Sequence, residues 1–199
     1  MVTVVVPFRG AGGKHRLAPM PPKARAELSL AMLGDVLAAC TAFGPTTVVT
    51  ADPDGSGLAS DLGAAVHRDP GGGQSAAVAS VLNTLPLDAV IIVNADLPCV
   101  VPHDLRSLVR ATPLSGLAYV PAADGTTNAL SLPAPAVFAP LYGPGSAARF
   151  HAHATELGLQ AIATPIPGLA SDIDTAEDLD RYGLGAGPRT QAMLSGLAR

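Results

Sequence analysis

The run Asp88-Ala-Val-Ile-Ile-Val-Asn-Ala-Asp96-Leu-Pro98 limits the fold of this chain more than any other stretch. Ala89 to Val93, with Ala95 past Asn94, is apolar, and it breaks abruptly into an aspartate followed by Leu-Pro. An apolar run without polar alternation reads as a strand buried on both faces, the kind found in parallel sheets covered by helices. Asp96 would then stand at the carboxyl end of a central strand, where open α/β sheets bind their ligands. A lone aspartate there holds either a metal or, through a metal, a phosphate-bearing substrate.

The rest of the chain alternates in the way such a sheet requires. Val2 to Pro7 is a β-branched first strand, and Phe8 to Pro22 is a loop carrying Gly10, Gly12, Gly13, Lys14 and Arg16. Ala26, Leu30, Leu33 and Leu37 recur at helical spacing, which predicts a helix from Lys23 to Cys40. A strand over Thr46 to Thr50, a short helix over Gly57 to Leu62 and a strand over Ala64 to Arg68 follow. Gly71-Gly72-Gly73 opens a helix to Val81 or Leu82, and another lies near Pro102 to Arg110. These βα units predict a doubly wound, largely parallel α/β sheet with right-handed crossovers. After Thr112 the rhythm changes to strands at Leu117 to Pro121 and Asn128 to Leu132, joined as a hairpin or strand-entry loop. A helix after Ser146, a strand over Gln160 to Pro165 and an acidic helix start after Thr175 complete the pattern. Residues 1–182 read as one domain, and 183–199 as a loose arm ending in a short helix.

Composition sets limits on function. In a chain of 199 residues, 48% are hydrophobic but only 4% aromatic, with no Trp, so the core is Ala, Val, Leu and Ile. The net charge of -4 and the lack of a basic run argue against a nucleic-acid surface. No stretch reads as a membrane span, and Met1 to Pro7 lacks the basic leader of a signal peptide. Cys40 and Cys99 have no metal-ligand spacing and read as reduced thiols. The expected location is cytoplasmic, and a homodimer is compatible with a sequence that does not fix the oligomeric state.

Several stretches could carry chemistry. Asp172 and Asp174 project from one face if Ile173 is extended and points into the core. With Asp96 they would make an oxygen-only site of the kind Mg²⁺ prefers. Equally, Asp174 or Thr175 could simply cap the helix that follows, with Glu177 and Asp178 favouring its dipole. The loop Phe8 to Leu17 matches neither a P-loop nor a dinucleotide fingerprint, though Lys14 and Arg16 supply charge for phosphates. Gly71-Gly-Gly-Gln-Ser75 can hold an anion or read a base edge at a helix start, or be a flexible turn. Asp124-Gly-Thr-Thr-Asn128 and Tyr142-Gly-Pro-Gly-Ser146 offer hydroxyls and amides to a carboxylate or phosphate, and read equally as turns. His67, His103, His151 and His153 form no metal spacing; His151, near the Ser146 turn, could reach a ligand but reads better as the polar face of a helix.

Taken in order, these pieces resemble one family. They are the first-strand loop with Lys14 and Arg16, the Gly-rich turn, Asn-Ala-Asp96-Leu-Pro, Asp124-Gly-Thr-Thr-Asn-Ala-Leu130, Tyr142-Gly-Pro-Gly-Ser-Ala-Ala-Arg149-Phe-His151 and Asp172-Ile-Asp174-Thr-Ala-Glu-Asp178-Leu. The chain looks like the guanylyltransferases of coenzyme F-420 biosynthesis, which activate 2-phospho-L-lactate or phosphoenolpyruvate with GTP, over Val2 to about Leu179. The resemblance implies a single-domain, Rossmann-like nucleotide-diphospho-sugar transferase fold. Its mostly parallel central sheet would be flanked by helices and carry a small β-hairpin insertion. It also implies a Mg²⁺-dependent attack of the acid's phosphate on the α-phosphorus of GTP, with loss of pyrophosphate. By that similarity Asp96, Asp172 and Asp174 would hold Mg²⁺, and Asp96, Lys14 and Arg16 would serve catalysis, the two cations facing the GTP phosphates. Gly71, Gly72, Gly73, Gln74 and Ser75 would face the nucleoside. Thr127 or Asn128, with Gly143 and Ser146, would hold the acid's carboxylate. The chain departs from the family pattern in two places: Phe8-Arg9 stands where a Lys is common, and Gln74-Ser75 where Leu-Asn is frequent. The rival readings are a sugar-phosphate or molybdopterin nucleotidyltransferase, which the missing Gly-Gly-x-Ser-x-Arg-Met-Gly style loop counts against, and a non-catalytic nucleotide-binding protein.

Overall fold

β-branched residues fill the middle of the sheet. Thr3–Pro7 (β1) and Val90–Val93 (β4) lie side by side in parallel, Val4 opposite Ile91 and Val5 opposite Ile92, and all nine residues are buried. The computed structural model describes residues 2–197 except Ala11, Gly13 and Leu87, and His15 only by its backbone. Gly13 of the first loop and the last two residues of the tail, Ala198 and Arg199, thus lie outside the described residues. Thr46–Thr50 (β2) and Ala65–Arg68 (β3) extend the parallel half beyond β1. On the other side Gly116–Pro121 (β5), Thr127–Leu132 (β6) and Gln160–Ala163 (β7) complete the order β3-β2-β1-β4-β6-β5-β7 among the described residues. Only β6 runs against its neighbours. The expected hairpin therefore forms as β5 and β6, and β6 is built into the central sheet between β4 and β5.

Helices cover both faces, as a parallel sheet needs. Pro22–Phe43 (α1) and Pro102–Ala111 (α4) pack with Val4, Val6, Ile91 and Val93 on one face. Gln74–Leu82 (α3) and Ser146–Glu156 (α5) pack with Val5, Ile92 and Leu130 on the other. Alternate residues of one strand thus serve opposite layers. Pro53–Asp61 (α2) starts earlier than the helix expected at Gly57, because Asp52 caps it by accepting from the Gly55 amide at 2.8 Å and Pro53 fits its first turn. Pro167–Ala170 (α6) is a single turn with no periodicity to reveal it. Ala176–Tyr182 (α7) is capped by Thr175, whose hydroxyl accepts from the Asp178 amide at 3.2 Å.

Two expectations need correction. The tail is no loose arm: Pro188–Leu197 (α8) packs along α1. Buried Asp35 of α1 accepts the Arg189 and Thr190 amides at 3.0 and 2.9 Å, and the Gly187 amide donates to the Pro98 carbonyl at 2.7 Å. Nor is the chain without a membrane-length apolar helix. α1 has 22 residues and a mean hydropathy of 1.5 in its most apolar window, enough by length and composition to cross a bilayer. The reason is its place in the fold, where Leu28, Met32, Leu33, Val36, Leu37 and Cys40 are all fully buried.

Candidate active site

Strand order decides where the site lies. The chain leaves β1 for β2 and β3 on one side, then returns to β4 on the other, so the carboxyl ends of β1 and β4 flank a switch point. The loop after β1 and the segment from Asn94 to Pro98 after β4 meet there. β4 ends at Val93, so Asp96 stands three residues beyond the ladder. The segment of Asp172 and Asp174 arrives from the far end of the chain, with the Ile173 amide donating to the Asp96 carbonyl at 3.1 Å and the Ile173 side chain fully buried. Ile173 is core-facing as expected, and the aspartates on either side of it reach different partners, Asp172 reaching Asn128 and Asp174 reaching Lys14.

Lys14 brings the expected groups together. Its ammonium donates to Asp96 Oδ2 at 2.6 Å and to Asp174 Oδ1, while its side chain is only 11% exposed. Burial pulls the Lys14 pKa down, but the charges of Asp96 and Asp174 outweigh it and hold the ammonium above its usual range. Its backbone is left-handed, with φ 64°, uncommon for a residue with a side chain. Arg16 is mostly exposed and pairs with Asp174 Oδ2 at 3.7 Å. Asp172 accepts from Asn128 Nδ2 at 2.9 Å. Burial is the main cause that raises its pKa; the Asn128 bond opposes it and the charges of Asp96 and Asp174 add to it. Asp96 Oδ1 is buried with no hydrogen-bond partner among the described residues. Among those residues no three His, Cys, Asp or Glu side chains form a ready metal position, and Lys14 lies between two of the expected ligands. Asp174 does not cap α7, since Thr175 does, and its carboxylate is left to face the site.

Beside these carboxylates a cleft of about 190 Å³ is lined by Phe8, Arg9, Gly10, Lys14, Ser29, Gln74, Asn94 and Asp96, among others. Of the five residues expected around the nucleoside, Gln74 alone lines it. Gly71, Gly72 and Gly73 take φ of 84, 88 and 90°, a run of left-handed backbone that only glycine adopts without strain, and they turn the chain into α3. Ser75 Oγ accepts from the Tyr142 amide at 3.1 Å, which ties this turn to the loop before α5. Phe8, standing where a cation was expected, buries its ring against Gly55, where a Cβ would come within 2.7 Å of it. Arg9 remains exposed at the edge of the cleft.

The residues expected to hold a carboxylate lie deeper. Because β6 runs antiparallel to β4, its first residues sit at the carboxyl end of β4, and the Asn94 amide donates to the Asn128 carbonyl at 3.0 Å. Thr127 and Ser146 are buried and pair their hydroxyls at 3.1 Å. Gly143, at φ 121°, accepts from the Ser146 amide, and Arg149 braces the same loop through the Leu141 and Pro144 carbonyls, each at 2.7 Å. Asn94 was read only as part of a motif, yet it joins the two groups: Gln74 Nε2 donates to its Oδ1 at 2.7 Å, and its Nδ2 donates to the Thr127 carbonyl at 3.2 Å. The signal that could have found it is its place as the first polar residue after the apolar strand, where β4 ends and the site begins. His151 stays on the exposed face of α5, in contact with the Tyr119 hydroxyl at 3.3 Å.

Comparison with known proteins fits this geometry. A family model described as guanylyl transferase CofC like matches residues 2–197. A phosphoenolpyruvate guanylyltransferase from Geodermatophilus obscurus is 36% identical, covering 99% of this chain and 95% of its own length. Another, from Streptomyces scabiei, is 37% identical over 98% and 96%. Among solved structures, a protein from Desulfovibrio desulfuricans provisionally assigned as a nucleotide-diphospho-sugar transferase superposes with a TM-score of 0.80 at 15% identity, covering 98% and 94% of the two chains. A nucleotidyl transferase from Methanothermobacter thermautotrophicus gives 0.69 at 18%, over 98% and 99%. At these identities the structural likenesses speak for the fold, which is that of the nucleotide-diphospho-sugar transferases.

Proposed function

The chain belongs to the CofC-like guanylyl transferases, and from that premise we propose that it transfers the guanylyl group of GTP to the phosphate of a three-carbon phospho-acid, in coenzyme F-420 biosynthesis. The names of its relatives favour phosphoenolpyruvate over 2-phospho-L-lactate as that acid. A phosphate oxygen of the acid attacks the α-phosphorus, the new P–O bond forms, and the bond to the β-phosphate oxygen breaks to release pyrophosphate. The attacking oxygen is already anionic, so the step needs alignment and charge neutralisation more than a general base.

The observation that carries this reading is the meeting of Lys14, Asp96 and Asp174 beside a cleft at the switch point. In kind the donors suit Mg²⁺, since all are carboxylate oxygens and Asp96 Oδ1 is buried without a partner among the described residues. The Lys14 ammonium, however, stands between Asp96 and Asp174 and would have to give way to the ion. We assign Asp96, Asp172 and Asp174 as the residues that would hold it. Bound there, the ion would offset phosphate charge and orient the reacting oxygens. Lys14 and Arg16 add cationic charge on the same side, for the phosphates that enter. Asn128 keeps Asp172 oriented through its amide. Thr127, Ser146 and the Gly143 loop are assigned to the acid's carboxylate on the likeness to the family. The Thr127 and Ser146 hydroxyls are buried and paired with each other, so the acid would have to engage them from the adjoining loop.

The test is pyrophosphate release from GTP with Mg²⁺ and either acid. Release with phosphoenolpyruvate and little with 2-phospho-L-lactate is the expected result. Release only with a sugar phosphate or molybdopterin would keep the fold and overturn the substrate assignment.

A further inference from the structure

One ammonium and one metal ion have claims on the same oxygens. Lys14 donates to Asp96 Oδ2 at 2.6 Å and to Asp174 Oδ1, two of the carboxylates assigned to Mg²⁺. Its side chain is only 11% exposed, so little water screens it from a second cation among those oxygens. Ammonium and ion therefore exclude each other there. The structure also shows where Lys14 can go. Lys14 and Asp96 both line the cleft that holds Phe8, Arg9 and Asn94. The ammonium rides on a flexible aliphatic stem and reaches that cleft by side-chain rotation alone. The main chain need not follow, since the Lys14 carbonyl accepts from the Leu17 amide at 3.0 Å.

We propose that Lys14 and a divalent ion hold Asp96 and Asp174 in turn, the ammonium swinging into the cleft when the ion takes the carboxylates. The inference deepens the guanylyl-transfer reading and rests on its assignment of the metal. The exchange fixes the sign of Lys14's effect. An ion arriving alone must displace a resident cation, so Lys14 lowers the affinity for metal. A displaced ammonium in the cleft attracts phosphate, so nucleotide and ion favour each other's binding, and by the same factor in both directions. A Lys14 that merely braced the carboxylates would have the opposite sign, because its loss would loosen them and weaken the metal.

The experiment has two arms. In the first, Mn²⁺ binding without nucleotide is followed by electron paramagnetic resonance in the wild type, in Lys14→Met, and in Lys14→Met combined with Asp96→Asn. Lys14→Met should bind Mn²⁺ about tenfold or more tightly than the wild type. Adding Asp96→Asn should erase that gain, which ties it to this cluster. Equal or weaker binding by Lys14→Met would overturn the proposal, as would a gain that survives Asp96→Asn. The second arm uses the wild type, so it decides should Lys14→Met not fold. Lys14 and Lys23 are the only lysines of the chain, and Lys23, 89% exposed, serves as the internal reference. An amine-acylating reagent, read by mass spectrometry, should modify Lys23 fast and Lys14 slowly. Mg²⁺, raised until the melting temperature no longer responds, should speed Lys14 about fivefold or more relative to Lys23. GTP added with the Mg²⁺ should slow it again. A Lys14 rate indifferent to Mg²⁺ would overturn the proposal. The exchange without pyrophosphate release from any phospho-acid would sink the proposed reaction and keep the inference. Release with Lys14 unmoved by Mg²⁺ would do the reverse.

Discussion

At the scale of single residues, the site is a problem in charge. Asp96 and Asp174 lie within reach of one ammonium, and Asp172, half-buried beside them, is held in place by Asn128. Removing one carboxylate's charge should cost chemistry more than stability, because none of the three is a core contact. Asp96→Asn and Asp174→Asn are each expected to lower pyrophosphate release by about a thousandfold or more while the melting temperature stays near that of the wild type. A variant within threefold or so of wild-type turnover would remove that carboxylate from the machinery. The two thiols make a second residue-scale case. Burial pushes the Cys40 pKa up to about 12, and raises that of half-buried Cys99, with help from the charges of Asp104 and Asp35. A raised thiol pKa means less thiolate at pH 8, so a thiol reagent should modify Cys99 slowly and spare Cys40 until the protein unfolds. Two fast equivalents from the folded protein would contradict the burial of Cys40.

At the scale of elements, the joints between helices hold the frame around the site. Asp35 is 5% exposed and accepts the first amides of α8, where the helix dipole also favours an anion. Gly187 passes so near Asp35 that a Cβ would collide with its carboxylate. Asp35→Ala leaves two amides without their acceptor and is expected to cost about 1–3 kcal/mol. For a chain of this size that lowers the melting temperature by roughly 3–10 °C. An unchanged melting curve would mean that the α1–α8 joint carries little of the stability. The Gly71–Gly73 turn and the loop before α5 form another joint, through the Tyr142 amide that donates to Ser75 Oγ.

Across the whole molecule, the first loop, α1, α7 and α8 close over a small core of Leu17, Leu28, Met32 and Ile173, with Leu179, Tyr182, Met193 and Leu194 packed against it. Ile173 stands between two of the assigned aspartates, so this core also fixes their place. Ending the chain after Tyr182 strips α8 from it, and we expect a loss of about 10 °C or more in melting temperature. If the shortened chain melted with the full one, residues 183–199 would be an appendage to a domain ending at 182. Much of this was legible in the amino-acid order. β-branched runs placed β1, β2 and β4, helical spacing placed α1, and Asp96 followed an apolar strand, because burial on both faces leaves a local record in residue type. Family membership was legible too, in the order of short motifs along the chain. What no local pattern carries is which ends meet: that Lys14 reaches Asp174 across 160 positions, that Asn94 joins Gln74 to Thr127, and that the tail docks on Asp35. Those pairings depend on strand order and on one antiparallel strand inserted beside β4, and only the folded sheet decides them, because hydrogen bonds between distant residues leave no periodicity in sequence.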